Sequence, residues 1–364
     1  MTIREYTDYV KKYPIKYNFG IGEDKSRTKF IYFLRVIKQI LFSRKIKYSS
    51  SQGEIKLLQL IKKKEGKNYN ELKESNIIIT HGSTNGIFIK LLSLKNEIKE
   101  VLLFTPIYPL YTNICDYLNY KYTLYNLKMH NFKLNFEVFI NALKDNINLV
   151  IINTPNNPTG ICYSYEEVNK IVKYCLMKKI HIIIDQVYDY FSYNNYRQKL
   201  EINEYITYAK SFSKSYNLTG LRIGYLITDK KCIKELIKIQ GMNILAVSTL
   251  IQDIAIMSIK NNSKKLFKKY LKNKVFLEKE LTKNDIKYIN MEGSFYCFIN
   301  INEYSHSAFT LAQDLLIKKR VNVLPGDLFL QEGFIRLSYA CSFTYLKKGL
   351  KRIINYVNYI KSNR

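Results

Sequence analysis

Between residues 77 and 228 the chain alternates short apolar, β-branched runs with amphipathic stretches of helical period. The runs at 77–80, 101–105, 149–153, 181–185, 205–208 and 223–228 carry almost no polar alternation, as strands buried on both faces require. Strands that alternate with helices build βαβ units and a mostly parallel sheet with helices on both sides. Ligands of such sheets bind beyond the strand C-termini. The polar residues closing each run therefore deserve most weight: Asn157 in L-V-I-I-N-T-P-N-N-P-T-G, and Asp185 and Tyr188 in H-I-I-I-D-Q-V-Y.

The last two runs bracket a small, polar stretch, S-F-S-K-S-Y-N-L-T-G-L-R, that holds Lys214 and, eight residues on, Arg222. A desolvated lysine loses its proton more easily, and the free amine can form a Schiff base with an aldehyde. Arginine stays charged and grips phosphate with a planar fork. Upstream, I-I-I-T-H-G-S-T-N-G is a strand, a small-residue turn and a helix start, and backbone N–H groups at such a start hold anions. Gly82, Ser83 and Thr84 are the expected phosphate cup, with His81 before it a structural residue.

N-N-P-T-G, D-x-x-Y and S-F-S-K-(x)7-R, in that order, resemble the class I/II aminotransferases, fold-type I enzymes dependent on pyridoxal 5'-phosphate, over roughly residues 17–355. The resemblance implies an α/β fold: a mostly parallel central sheet flanked by helices, with a smaller α+β domain from both chain ends. The domain bounds expected are 1–42 for the arm and part of the small domain, 43–262 for the large domain and 263–364 for the rest of the small one. It further implies that Lys214 carries the cofactor as a Schiff base and shuttles the proton at the substrate Cα. Asp185 would pair with the pyridine nitrogen, and Asn157 and Tyr188 would bond the ring hydroxyl oxygen. Ser211 and Arg222 would join the 82–84 turn on the phosphate, and Tyr108 would stack on the ring. Arg336, in G-F-I-R-L-S-Y-A, would take the substrate carboxylate, with Gly22 and Asn157 beside it. Tyr111 is expected in packing or behind the contact residues. Tyr48 would reach the cofactor phosphate of a neighbouring subunit, so a homodimer is implied. The expected reaction is transamination between an amino acid and a 2-oxo acid. Its rival is decarboxylation, elimination or cyclisation on the same fold, and the Asn-Glu-Asn-Pro signature of the histidinol-phosphate branch is missing from 17–24.

Composition decides what remains. The net charge of +28 invites a nucleic-acid reading. Lys, Asn, Ile and Tyr are abundant together, however, Trp is absent, and the lysines are spread without a basic tail, as an AT-rich coding sequence produces. No specific nucleic-acid partner is expected. No run approaches the roughly 20 apolar residues of a membrane span. The charged N-terminus lacks a secretory apolar region. Six scattered cysteines and four histidines show no metal-ligand spacing. A cytoplasmic enzyme with reduced thiols, no metal and no membrane partner is the expectation.

Overall fold

The computed structural model describes residues 1–24, 47–193, 200–260 and 264–363, with Leu34, Ile37 and Leu41. The amphipathic stretch 30–42, whose spacing predicts a helix, lies, those three residues apart, outside them. The strands are β1 (Tyr17–Asn18), β2 (Ile77–Thr80), β3 (Glu100–Thr105), β4 (Lys121–Asn126), β5 (Ile147–Asn153), β6 (His181–Asp185), β7 (Ile206–Ser211), β8 (Gly224–Ile227), β9 (Tyr296–Asn300), β10 (Val321–Asn322), β11 (Leu324–Pro325) and β12 (Phe334–Ser338). Seven of them form one sheet in the order β2-β8-β7-β6-β5-β3-β4. β7, β6, β5, β3 and β4 pair in parallel, while β8 runs against both β7 and β2.

Period-two side-chain alternation splits the strand residues between two cores. Ile182 and Ile184 of β6 point into one, with Leu102, Val150, Ile152 and Tyr208. Ile183 points into the other, with Leu103, Ile151, Ala209 and Leu226. Helices Ile55–Glu65, Phe136–Ala142, Tyr165–Met177 and Thr249–Lys260 cover the first face. Helices Gly82–Ser93, Leu110–Leu118 and Lys230–Asn243 cover the second. The uninterrupted apolar runs are thereby accounted for: their strands are sealed above and below, whereas the edge strand β4 is partly exposed along its length.

Both chain ends contribute to a third core. Tyr6, Val10, Tyr17 and Phe19 pack there with Leu277, Leu311, Leu350 and Ile353, around the antiparallel sheet β11-β12-β9 and the parallel pair β1-β10. The fold is thus α/β, a mostly parallel sheet between helices with a smaller α+β domain. Among the described residues, no helix is long and apolar enough to cross a membrane. The register brings Thr80, Ser211 and Gly224 together and sets Asn153, Asp185 and Ala209 side by side. One edge of the large sheet therefore collects the polar residues that end its runs.

Candidate active site

Asp185 closes β6, is 4% exposed, and accepts hydrogen bonds from the Tyr111 hydroxyl (2.6 Å to Oδ2) and the Val187 N–H (3.2 Å to Oδ1). Burial pushes its carboxyl up to about 6, and Tyr111 and the Val187 N–H only partly oppose that. No cation acts on it among the described residues. A buried carboxylate with two neutral donors and no counter-charge is incompletely compensated. It marks a place where a cationic group from outside the chain belongs. Tyr111, expected in packing or behind the contact residues, is fully buried and holds this carboxylate directly.

Lys214 sits in the one-turn helix Phe212–Ser215 that follows β7. Its Nζ donates to the Gly22 carbonyl at 2.7 Å and lies 5.9 Å from the centre of the Phe295 ring. Burial draws its ammonium below the ordinary lysine value, with Arg336 and Arg222 acting the same way against Tyr296 and Glu23. Ser211, which caps this turn, accepts from the Ser213 N–H at 3.0 Å and donates to the Ile223 carbonyl at 3.5 Å.

The helix Gly82–Ser93 opens directly beyond β2, and its cap residue His81 makes no side-chain hydrogen bond to the first turn. The N–H groups there are available to an anion. Gly82 has φ +81°, and a Cβ on it would stand 3.1 Å from Nη2 of Arg222. Arg222 itself turns in a left-handed conformation, and its Nη1 donates to the Thr219 carbonyl at 3.0 Å. Gly224 packs beneath: a Cβ would come within 2.7 Å of the Ser83 nitrogen and of the Lys210 carbonyl oxygen. Reading the sequence alone missed this residue, although a glycine inside an otherwise β-branched strand signals close backbone approach.

Arg336, on β12, is 4% exposed. Its Nη1 donates to Asn157 Oδ1 at 2.7 Å and its Nη2 to the Gly20 carbonyl at 2.6 Å. Its Nε is buried without a partner among the described residues. Tyr296 and Phe329 face the guanidinium, with ring centres 4.2 and 4.7 Å from Cζ. Asn157 is fixed in turn by its own N–H, which donates to Asn153 Oδ1 at 2.8 Å. The buried Tyr188 hydroxyl lies 3.0 Å from that of Tyr296. Tyr108 stands edge-on to Tyr111, ring centres 6.3 Å apart, with its own ring 37% exposed. Arg336, Asp185 and Arg222 all act electrostatically on its phenol.

These contacts bring Gly22, Tyr108, Asn157, Asp185, Tyr188, Lys214 and Arg336 around one place, with Gly82, Ser83 and Arg222 beside it and Thr84 next in the same helical turn. Tyr48 is not among them: it stands 89% exposed. Tyr111 and Tyr296 are the additions.

The chain matches the family model of aminotransferase class I and II over residues 15–353. It belongs to that family. An aspartate aminotransferase of Thermotoga maritima is 29% identical over 319 residues, 86% of this chain and 84% of that protein. A probable aspartate/prephenate aminotransferase of Aquifex aeolicus is 31% identical, covering 92% of this chain and 89% of that one. The T. maritima aspartate aminotransferase structure superposes with a TM-score of 0.90 at 26% identity, over 98% of this chain and 97% of that one. The aminotransferase is a transferase dependent on pyridoxal 5'-phosphate, moving an amino group between an amino acid and a 2-oxo acid. The relatives do not favour the decarboxylating or eliminating alternative.

The residues present fit that cofactor. Asp185 lacks the cation that a protonated pyridine nitrogen supplies. The uncapped helix start beside Arg222 suits a phosphate. The orphaned Nε of Arg336 suits a carboxylate, and the lowered amine of Lys214 suits imine chemistry.

Proposed function

We propose that Lys214 is the residue that binds the cofactor covalently and moves the proton at the substrate Cα, within a site that orients the amino acid through Arg336. Pyridoxal phosphate, when bound, supplies an electron-withdrawing ring that makes the bonds at the amino acid Cα labile. Asp185 holds positive charge on the ring nitrogen and keeps that withdrawal strong. Tyr188 and Asn157 serve the ring oxygen, Tyr108 covers the ring face, and Gly82, Ser83, Thr84, Ser211 and Arg222 serve the phosphate. Arg336, with Asn157 and Gly22 beside it, takes the α-carboxylate as a charge-assisted pair. A carboxylate held there leaves the Cα proton facing the amine of Lys214. Burial draws that amine below the ordinary lysine value, which favours the free base that the proton transfer needs.

The observation that carries this reading is a pair of buried groups incompletely compensated among the described residues: Asp185 without a cation and Arg336 with its Nε unpartnered. A zwitterionic amino acid beside a cationic ring completes both. The names of the relatives make aspartate the first donor to try. The exposure of Tyr48 supports its reaching the phosphate site of a second copy, hence a homodimer. Six free thiols suit the cytoplasm. The chain-end core, which also takes in Val187, Tyr188 and Phe191, supports a smaller domain drawn from both ends; the expected bounds at 42 and 262 lie outside the described residues.

Borohydride reduction of the loaded protein, followed by peptide mass mapping, tests the assignment. One cofactor adduct on the Lys214 peptide, lost in Lys214→Ala, is expected. An adduct on another lysine refutes it.

A further inference from the structure

Tyr296, the first residue of β9, touches three of the groups assigned above. Its ring lies over the guanidinium of Arg336 at 4.2 Å, with Phe329 as the second aromatic neighbour at 4.7 Å. Its hydroxyl lies 3.0 Å from the Tyr188 hydroxyl, and the two rings stand edge-on at 5.5 Å. Gly22 makes room for it: a Cβ there would fall 2.0 Å from the Tyr296 oxygen. Tyr296 is 2% exposed, so its hydroxyl must find a partner within the protein, and Tyr188 is the one it has among the described residues.

A phenol has one proton to donate. Tyr188 can give its own to a cofactor oxygen only while it does not give it to Tyr296, so in this pair Tyr296 is the donor and the Tyr188 oxygen accepts. Chained hydrogen bonds strengthen one another, and a guanidinium against the Tyr296 ring makes its O–H a stronger donor. We propose that Tyr296 is a positioning residue that couples the two halves of the site. Its ring sets the plane of Arg336, where the carboxylate binds, and its hydroxyl sets the direction in which Tyr188 donates. The inference rests on the roles proposed above for Tyr188 and Arg336.

The pH titration of the absorbance of the loaded, substrate-free enzyme provides a readout that core packing alone does not move. Tyr188→Phe removes the donor to the ring oxygen and should raise the midpoint. Tyr296→Phe keeps the ring but deletes the hydroxyl. It should raise the midpoint by a smaller amount, roughly half a pH unit to one unit. The double variant should titrate like Tyr188→Phe alone, because Tyr296 acts through Tyr188. Tyr296→Leu, which also removes the ring, should raise KM for amino acid and 2-oxo acid together by about tenfold, against less than about threefold for Tyr296→Phe. A midpoint that moves in Tyr188→Phe but not in Tyr296→Phe overturns this proposal alone. Additive shifts in the double variant, or equal KM values in the two Tyr296 variants, also overturn it. No shift in Tyr188→Phe overturns the role of Tyr188 and this proposal together. Should the Leu variant fail to fold, the Phe titration decides.

Discussion

Asp185→Asn should make the cofactor-free protein more stable at alkaline pH while weakening its hold on pyridoxal phosphate. The carboxyl of Asp185 is raised from 3.8 to about 6 because it is buried without a counter-charge. At about 1.4 kcal/mol per unit this is a folding cost of about 3 kcal/mol. The sign follows from the direction of the shift. A raised carboxyl favours its protonated form in the folded chain, so the cost is absent below pH 3.8 and grows through pH 6. Above that it is fully present. Asparagine carries no charge and escapes it. Its amide cannot, however, accept from both the Tyr111 hydroxyl and the Val187 N–H, which returns about 1 kcal/mol. A net gain of about 2 kcal/mol remains at pH 8, a rise of a few degrees in Tm for a chain of this size. At pH 5 the avoided cost falls to about half and the gain nearly vanishes. Saturating cofactor should reverse the order at pH 8, because binding stabilises by mass action and only the carboxylate pairs with the ring nitrogen. Thermal melts of protein stripped with hydroxylamine, at pH 5 and pH 8, with and without added cofactor, measure all four cases. A Tm difference independent of pH, or a stripped Asn variant less stable than wild type at pH 8, would refute the reasoning.

Gly224→Ala places a methyl group against three backbone atoms at 2.7–2.8 Å, including the Ser83 nitrogen and Gly82 carbon of the phosphate turn. Overpacking of this kind costs about 1–3 kcal/mol, and cofactor affinity should fall at least tenfold, read by equilibrium titration of the stripped protein. An affinity within twofold of wild type would count against the cup. Behind the site, Lys210 is buried between Glu65 (2.9 Å) and Asp189 (2.6 Å), and Glu65 also meets Lys64 at 2.8 Å and the Tyr225 hydroxyl at 2.8 Å. Lys210→Met leaves those carboxylates short of a cation and should cost about 3–5 kcal/mol in urea unfolding. Adding Glu65→Gln should recover part of it, and a Met variant as stable as wild type would show the network to be neutral.

The sheet and the polar residues at its edge were legible because buried strands impose the same apolar run wherever they occur. Asp185, Lys214 and Arg222 stand out from such runs as charges with no local partner. Amphipathic spacing predicts helices over 163–179 and 345–360, and the chain forms them at Tyr165–Met177 and Phe343–Ser362. The bond from Tyr111 to Asp185 and the place of Tyr296 were not legible. The chain has 32 tyrosines, and each of these two sits among apolar neighbours as core tyrosines do. What distinguishes them is a hydrogen bond across 74 residues in one case and 108 in the other. Spacing along the chain does not reveal which strand end meets which helix. The same limit hid Gly224, whose constraint comes from the turn at Gly82 and Ser83 on a distant strand.

The most direct test of the central claim is a single half-reaction. Loaded enzyme is mixed with an excess of aspartate, with no 2-oxo acid acceptor, and the products are counted by mass spectrometry. Transamination through Lys214 predicts one equivalent of the matching 2-oxo acid per active site, then a halt until an acceptor is added, and no product from Lys214→Ala. The same screen repeated with other amino acids identifies the donor if aspartate is inert. Continuous release of carbon dioxide or ammonia without an acceptor, or full turnover by Lys214→Ala, would contradict it.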